Sequence, residues 1–354
     1  MNDYIKRRDF IKMIPSGLFG AGIGLNTLAN KISLNNSGIN RLKKKNPNPT
    51  QRPKVALIKG NDRKANMFEA LKLIEDDIKK SIGNKQIVIK PNFTRVTKKD
   101  WLASTPVDNI WALLEFLESF YKNKIIIAEG TGTGDQLEVP LKNYGYEKLA
   151  DKYNVEFYDL NNDQYTALYM LDRETHPLRI PTSNLLLNPN TYLISASVMK
   201  THGYALVTLS LKNVVLAALM NLGKDNNYRA KMHEEPFHEN PKFFNYNMFQ
   251  MSQYVSPDLA LIDGFVGMEG DGPLFSDPVE VCVAVASTDF VAADRIGVEI
   301  MEHDFDNTGH LVYCADAKMG EGDITKMDIV GEKITNCKKK FKPHKDWEKS
   351  IRWK

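Results

Sequence analysis

From Lys54 onward the apolar positions fall into two alternating patterns. Short runs that are apolar on both faces predict strands at Val55–Gly60, Gln86–Asn92 (stopped by Pro91), Lys124–Gly130, Val155–Leu160, Thr191–Lys200, Asp258–Gly264 and Val279–Ser287. Stretches with helical spacing lie between them. Phe68, Leu71, Ile74 and Ile78 form one stripe in Met67–Ile82, and Ile110, Leu113, Leu114 and Leu117 form another. Thr105 is placed to cap that second helix, with Pro106 at its first position and Asp108 in its first turn. Further helices are expected over 138–153 and Phe290–Met301. Strand–helix alternation of this kind predicts an α/β fold: a mostly parallel sheet flanked by helices. The stretch 224–256, rich in Asn, His, Phe and Met, reads as a helical or loop insertion, or lid. No repeat or internal boundary divides the body, taken as 54–332, and 333–354 reads as a polar tail.

The first thirty residues follow a different pattern. Arg7 and Arg8 precede Phe10, Ile11 and Lys12, then a weakly apolar, glycine-rich stretch from Met13 to Leu28. This order matches a twin-arginine export signal over 1–30, with 31–53 as a polar linker. The expected location is periplasmic or otherwise extracytoplasmic, and the expected partner in transit is the twin-arginine translocation machinery. The apolar part is too short for a confident span, so no stable membrane segment is expected once the signal is gone.

Composition narrows the function classes. The formal charge of +3 comes from 47 basic and 44 acidic residues, and the signal alone carries Lys6, Arg7, Arg8 and Lys12. No strongly basic face is implied, and no nucleic-acid partner is expected. Cys282, Cys314 and Cys337 are too few and too far apart for a disulfide framework or a self-contained iron–sulfur module.

In open parallel sheets, ligands gather at the carboxyl ends of the strands. Four such ends carry candidate chemistry. Lys90 and Asn92 follow one strand. Glu129, Gly130 and Gly132 open a GTGTG turn, either a plain flexible turn or an anion cradle built from backbone N–H groups. Lys200 and His202 follow a third strand, with Lys212 and Asn213 in the almost wholly apolar stretch Leu209–Leu222. A buried lysine is costly and its pKa falls, so Lys212 is either functional or a snorkelling or ion-paired core residue. Asp263, Glu269 and Asp271 lie in a glycine-rich segment after the fourth strand, where they could hold a hard cation or move protons, or simply solvate a loop. His233 and His238 in the insertion, with His202 and Glu269, are the candidate ligands of a divalent metal.

Read together, IKPN, AEGTGTG, KTHGYALVTLSLKN, LIDGFVGMEGDGP and ASTDFVAADRIG resemble a family known only as a domain of unknown function, number three hundred and sixty-two. The resemblance runs over about 54–332. Many members carry four-cysteine iron–sulfur modules; this chain does not. The order His202, Lys212, His233 is also similar to that in nickel-pincer lactate racemases. That resemblance implies Lys212 as the tether of an organic cofactor, His233 as a metal ligand and His202 as an acid–base residue.

Two functional readings follow. One is an exported enzyme with a metal- or cofactor-dependent site, in which His202, Lys212, Asp263 and Asp271 act and Lys90, Asn92, Glu129, Gly130, Gly132, Lys200 and Asn213 hold the bound group. The other is a non-catalytic binding protein for a small anionic molecule. A scaffold whose polar residues only satisfy a large core is the plain alternative.

Overall fold

In a computed structural model the described residues are 52–93, 96–97, 102–132, 134–172, 174–223, 226–228, 240–272 and 275–354. The expected signal, the expected linker up to residue 51, and both His233 and His238 lie outside them. The described chain is α/β, a mostly parallel sheet flanked by helices. Its strands are β1 (Lys54–Lys59), β2 (Gln86–Lys90), β3 (Ile125–Glu129), β4 (Val155–Asp159), β5 (Tyr165–Leu171), β6 (Pro177–Ser183), β7 (Thr191–His202), β8 (Leu206–Thr208), β9 (Leu259–Asp271), β10 (Phe275–Ser287) and β11 (Asp328–Gly331). Nine form one sheet in the order β11-β1-β10-β9-β7-β2-β3-β4, with β8 paired to β7, while β5 and β6 form a separate hairpin. β10 runs antiparallel to both β9 and β1, and the ladders from β9 through β7, β2 and β3 to β4 are parallel.

Among the described residues, seven helices have eight or more residues: α1 (Arg63–Leu73), α2 (Glu75–Ile82), α3 (Val107–Glu118), α4 (Ser210–Ala218), α5 (Pro241–Ser252), α6 (Phe290–Ile300) and α7 (Gly309–Asp316). Alternate strand residues feed two cores. Ala56, Leu259, Leu261, Ala284 and Ala286 pack with α1, α2 and α3, whereas Val55, Leu57, Ile262, Val283 and Val285 pack with α4 to α7. Both faces are therefore covered, which is why these strands read as continuous apolar runs.

Four expectations are corrected. The single helix over Met67–Ile82 is two, broken at Ile74, whose N–H bonds back to Leu71 and Lys72 as the cap of α1. The helix over 138–153 is a short α segment, Glu138–Asn143, followed by a 3-10 turn, Tyr146–Leu149. Thr105 does not cap α3. Pro106 is the N-cap, without a side-chain bond, while Thr105 Oγ1 accepts from the Asn92 N–H at 2.8 Å and donates to the Ala196 carbonyl at 2.7 Å. The loop expected after Gly264 is strand: β9 continues to Asp271 and turns into β10. Its glycines serve close approach rather than flexibility. A Cβ on Gly264 would stand 2.6 Å from Val283 Cγ2, and one on Gly267 would stand 2.7 Å from Phe341 Cζ.

Within the insertion, the described residues include α5, capped by Asn240 and started by Pro241, with Phe244, Met248 and Met251 buried. The 333–354 segment packs onto the body: Cys337, Phe341 and Trp353 are buried, and Ser350 Oγ donates to the Gly203 carbonyl. Among the described residues no helix is long and apolar enough to cross a membrane.

Candidate functional site

Lys90 and Glu129 end β2 and β3, adjacent parallel strands in which Ile89 faces Ile127, so Glu129 stands one residue further along than Lys90. Lys90 Nζ lies 2.8 Å from Glu129 Oε2, with the two side chains 0% and 1% exposed. Two backbone amides also serve the carboxylate: Phe93 N–H to Oε2 at 2.8 Å and Gly130 N–H to Oε1 at 2.9 Å. Lys90 Nζ further donates to Asn213 Oδ1 at 2.7 Å. Asn213 lies in the first turn of α4, and its amide donates to the Lys90 carbonyl at 3.1 Å and Ser195 Oγ at 3.0 Å. Ser195 is the register partner of Lys90 in β7, so β7 overshoots β2 and carries Lys200 beyond it. Lys200 Nζ, also buried, donates to Asn92 Oδ1 at 2.9 Å and to the Ala103 carbonyl at 2.6 Å. Asn92 Nδ2 closes the chain by donating to Asn213 Oδ1 at 3.0 Å. Two ammonium groups, a carboxylate and two amides thus form one buried network at the carboxyl ends of β2, β3 and β7.

The first turn of α4 is held from a distance. Asp294 of α6 accepts from the Ser210 N–H at 2.8 Å, the Ser210 hydroxyl at 2.6 Å and the Leu211 N–H at 3.0 Å. It supplies the cap that Leu209, at the N-cap position, cannot. Burial pushes its pKa up to about 6 against these bonds.

Asp263 is buried beside the start of α3. Its Oδ2 accepts from Asn109 Nδ2 at 2.8 Å and lies 3.2 Å from Arg63 Nε, and its Oδ1 accepts from the Phe265 N–H at 2.8 Å. The Arg63 guanidinium also sits 4.9 Å over the Phe265 ring. Burial raises the pKa of Asp263, and Arg63, the Phe265 amide and Asn109 oppose that rise. The segment 103–109 therefore links two clusters, meeting Lys200 at Ala103, Asn92 at Thr105 and Asp263 at Asn109.

Of the expected site residues, the structure gathers Lys90, Asn92, Glu129, Lys200 and Asn213 into one network, with Asp263 reached through 103–109. The glycine turn is committed internally. The Gly130 N–H serves Glu129, and the Gly132 carbonyl accepts from Asn227 Nδ2 at 2.9 Å, so a phosphate at Gly130 would have to displace the protein's own carboxylate. His202 faces its own turn. Its Nδ1 accepts from the Tyr204 and Ala205 N–H groups at 3.2 and 3.3 Å, and its ring stacks on Phe244. That places the proton on Nε2, so in this arrangement the ring donates and offers no lone pair to a metal.

Lys212 lies in the first turn of α4, 5% exposed; burial, helped by the Lys212 charge, lowers the pKa of His310 to about 3. His310 Nδ1 lies 3.0 Å from Asn245 Oδ1.

Glu269 and Asp271 lie elsewhere. Glu269 accepts from the Lys342 N–H at 2.7 Å, and Asp271 accepts from the Lys345 N–H at 3.0 Å, which holds its carboxyl below the usual range. Eight residues of β9, on the order of 25 Å of extended chain, separate Asp271 from Asp263. Among the described residues no three His, Cys, Asp or Glu side chains come together as a metal site requires.

Arg63, Ser195, Asn109 and Asp294 escaped the sequence reading. Asp294 alone left a signal, an acid in the middle of the largely apolar helix Phe290–Ile300. The same reasoning singled out Lys212.

Comparison with known proteins gives limited overlaps. A thylakoid-associated protein of Synechocystis sp. is 27% identical over 120 residues, which is 32% of this chain and 33% of that protein. A solved structure from Thermotoga maritima superposes with a TM-score of 0.38 at 16% identity, covering 64% of this chain and 55% of the other. The lactate racemase apoprotein from Thermoanaerobacterium thermosaccharolyticum does so with a TM-score of 0.44 at 14% identity, covering 71% and 57%. The chain thus spans about a third of that curated relative and a little over half of each solved neighbour. Residues 87–299 match the pattern of the family described as a domain of unknown function, DUF362, and carry the whole Lys90–Glu129–Asn92–Asn213–Lys200 network. The chain belongs to that family.

Proposed function

We propose that this protein binds a small anionic molecule at the carboxyl ends of β2, β3 and β7, with Lys90 and Lys200 supplying the charge. The observation that carries the reading is the pair of ammonium groups, 0% and 1% exposed, joined through Asn92 and Asn213. Burying an ammonium group costs several kcal/mol, and well-packed apolar residues in place of a buried ion pair are often as stable or more so. Core stability alone therefore does not call for two such lysines at the end of a sheet where ligands are expected. The test is calorimetric titration of inorganic phosphate, acetate and glycolate into the wild type and K200M. At least one anion should bind the wild type with a dissociation constant tenfold or more below that for K200M. Equal binding by both proteins would overturn the assignment.

A catalytic use of the same region is the second reading, favoured by Asp263. Burial lets this carboxyl keep a proton closer to neutral pH than an ordinary aspartate does. In that reading Asp263 moves the proton, while Glu269 and Asp271, at the far end of β9, take no part. Loss of turnover in D263N with anion binding retained would support it. We also propose export by the twin-arginine route, on the motif at Arg7 and Arg8. The thylakoid association named for the Synechocystis relative is compatible with a location outside the cytosol. R7K/R8K should leave the protein in the cytoplasmic fraction, and unchanged export would refute the route.

A further inference from the structure

The segment 103–109 holds two polar atoms left unsatisfied among the described residues. Ser104 Oγ and Asn109 Oδ1 are buried and find no hydrogen-bond partner among the described residues, on side chains 1% and 2% exposed. Such atoms are rare in folded proteins because each forfeits its hydration without compensation. Both flank the start of α3, whose N-cap Pro106 makes no side-chain bond and whose first-turn N–H groups carry partial positive charge. The Ala103 carbonyl that receives Lys200 Nζ immediately precedes Ser104. The orientation of Asn109 is fixed. With Asp263 ionised beside Arg63 its carboxylate only accepts, so the 2.8 Å bond comes from Nδ2, which leaves Oδ1 as the unmet group.

We propose that Ser104 and Asn109 complete their bonding on the ligand, and that this ligand is an anion carrying its own O–H or N–H donor. The inference rests on the anion-binding reading above. The acid oxygen goes to the cationic end of the site, at Lys200 and the start of α3, where the Ser104 hydroxyl can donate to it. Asn109 Oδ1 is an acceptor in a buried place and would be repelled by a second anionic oxygen. It is matched by a hydroxyl, an ammonium or an amide N–H. A simple carboxylate or phosphate monoester without such a donor would leave Oδ1 as it is now. Sites built to bond a ligand's donor reject the analogue lacking it strongly, because the site's own polar atom stays unpaired.

The test uses the full chain and matched anions: acetate against glycolate and glycine, and ethyl phosphate against phosphoethanolamine, each titrated calorimetrically into the wild type, S104A and N109L. The wild type should bind a donor-bearing member at least tenfold more tightly than its donor-free partner. N109L should erase that ratio, and S104A should weaken binding about tenfold. S104A guards against a misfolding artefact. It deletes a hydroxyl that makes no bond among the described residues, so its melting temperature without ligand should equal or exceed that of the wild type. Equal affinities for donor-free and donor-bearing anions, or a preference that survives N109L, would overturn this inference while leaving anion binding in place. No measurable binding of any anion would overturn the anion-binding reading, and this inference with it.

Discussion

Replacing Lys90 by methionine keeps most of the side-chain length and removes the charge from a pair in which neither partner is more than 1% exposed. The Glu129 carboxylate would then be buried without its ammonium partner, keeping the Phe93 and Gly130 amides. Asn213 Oδ1 would keep its bond from Asn92. Removing one member of a buried ion pair costs about 3–5 kcal/mol. The two retained amide bonds place K90M near the lower end, at about 3 kcal/mol. E129L leaves the Lys90 ammonium with Asn213 and also strips two backbone amides of their acceptor, which places it near the upper end, at about 5 kcal/mol. In K90M/E129L no buried charge is left at this pair, so the double variant should be more stable than the sum of the single effects by at least 1.5 kcal/mol. The assay is equilibrium urea denaturation followed by fluorescence. With an m-value of about 3 kcal/mol/M, K90M moves the midpoint down by about 1 M. A K90M midpoint within about 0.3 M of the wild type at unchanged m, or strictly additive single effects, would show that the pair is not a coupled buried unit.

Burial raises both Asp289 and Asp294 from 3.8 to about 6, so the folded state binds their protons more tightly than the unfolded chain does. Stability must then fall as pH rises from about 4 to about 6, by roughly 3 kcal/mol per group; urea midpoints at pH 5 and 7 should differ in that direction, with a smaller difference in D294N, and an unchanged slope in D294N would refute the assignment. In K212M the pKa of His310 should rise from about 3, because burial then acts without the neighbouring ammonium; a ring titration followed by NMR that does not move would show that Lys212 does not face it. Phe341→Ala should cost about 3–5 kcal/mol, since this 1%-exposed ring fills the space above Gly267, and a cost below 1 kcal/mol by denaturation would mean that the C-terminal segment is only loosely laid on.

The parallel strands were readable because burial on both faces leaves uninterrupted apolar runs, as in Gln86–Lys90 and Ile125–Glu129. The extension of β9 was not. Gly264, Gly267 and Gly270 carry the usual mark of a loop, and only the three-dimensional neighbours Val283, Met199 and Phe341 explain the first two as close contacts within a sheet. The β5–β6 hairpin left no reading either: six of the seven residues of β5 are exposed or only partly buried, so its apolar signal is weak. In the site, Lys90, Asn92, Glu129, Lys200 and Asn213 could be picked out because a charge or amide at the end of an apolar run is conspicuous. Arg63, Ser104 and Asn109 could not, since serine, asparagine or arginine near a helix start is ordinary and their importance lies in which partners they have or lack. The separation of Asp271 from Asp263 follows from the same error as the loop. Eleven residues of apparent turn can fold back on one point, but a strand cannot.

The position of β1 sets the order in which the molecule can be completed. This first strand of the described chain lies between β10 and β11, pairing Ala56 with Ala286 and Val330. On a ribosome, residues 54–59 emerge long before either neighbour exists. At about 5–20 residues per second the wait for β11 is roughly 15–60 s. During that interval β1 presents two unpaired edges, and this side of the sheet closes only once residues 328–331 have been made. Ladders closed over such long separations also form slowly. Export machinery that threads an unfolded chain would draw β1 away before its partners were made, whereas a carrier of finished proteins would meet it already clamped on both sides.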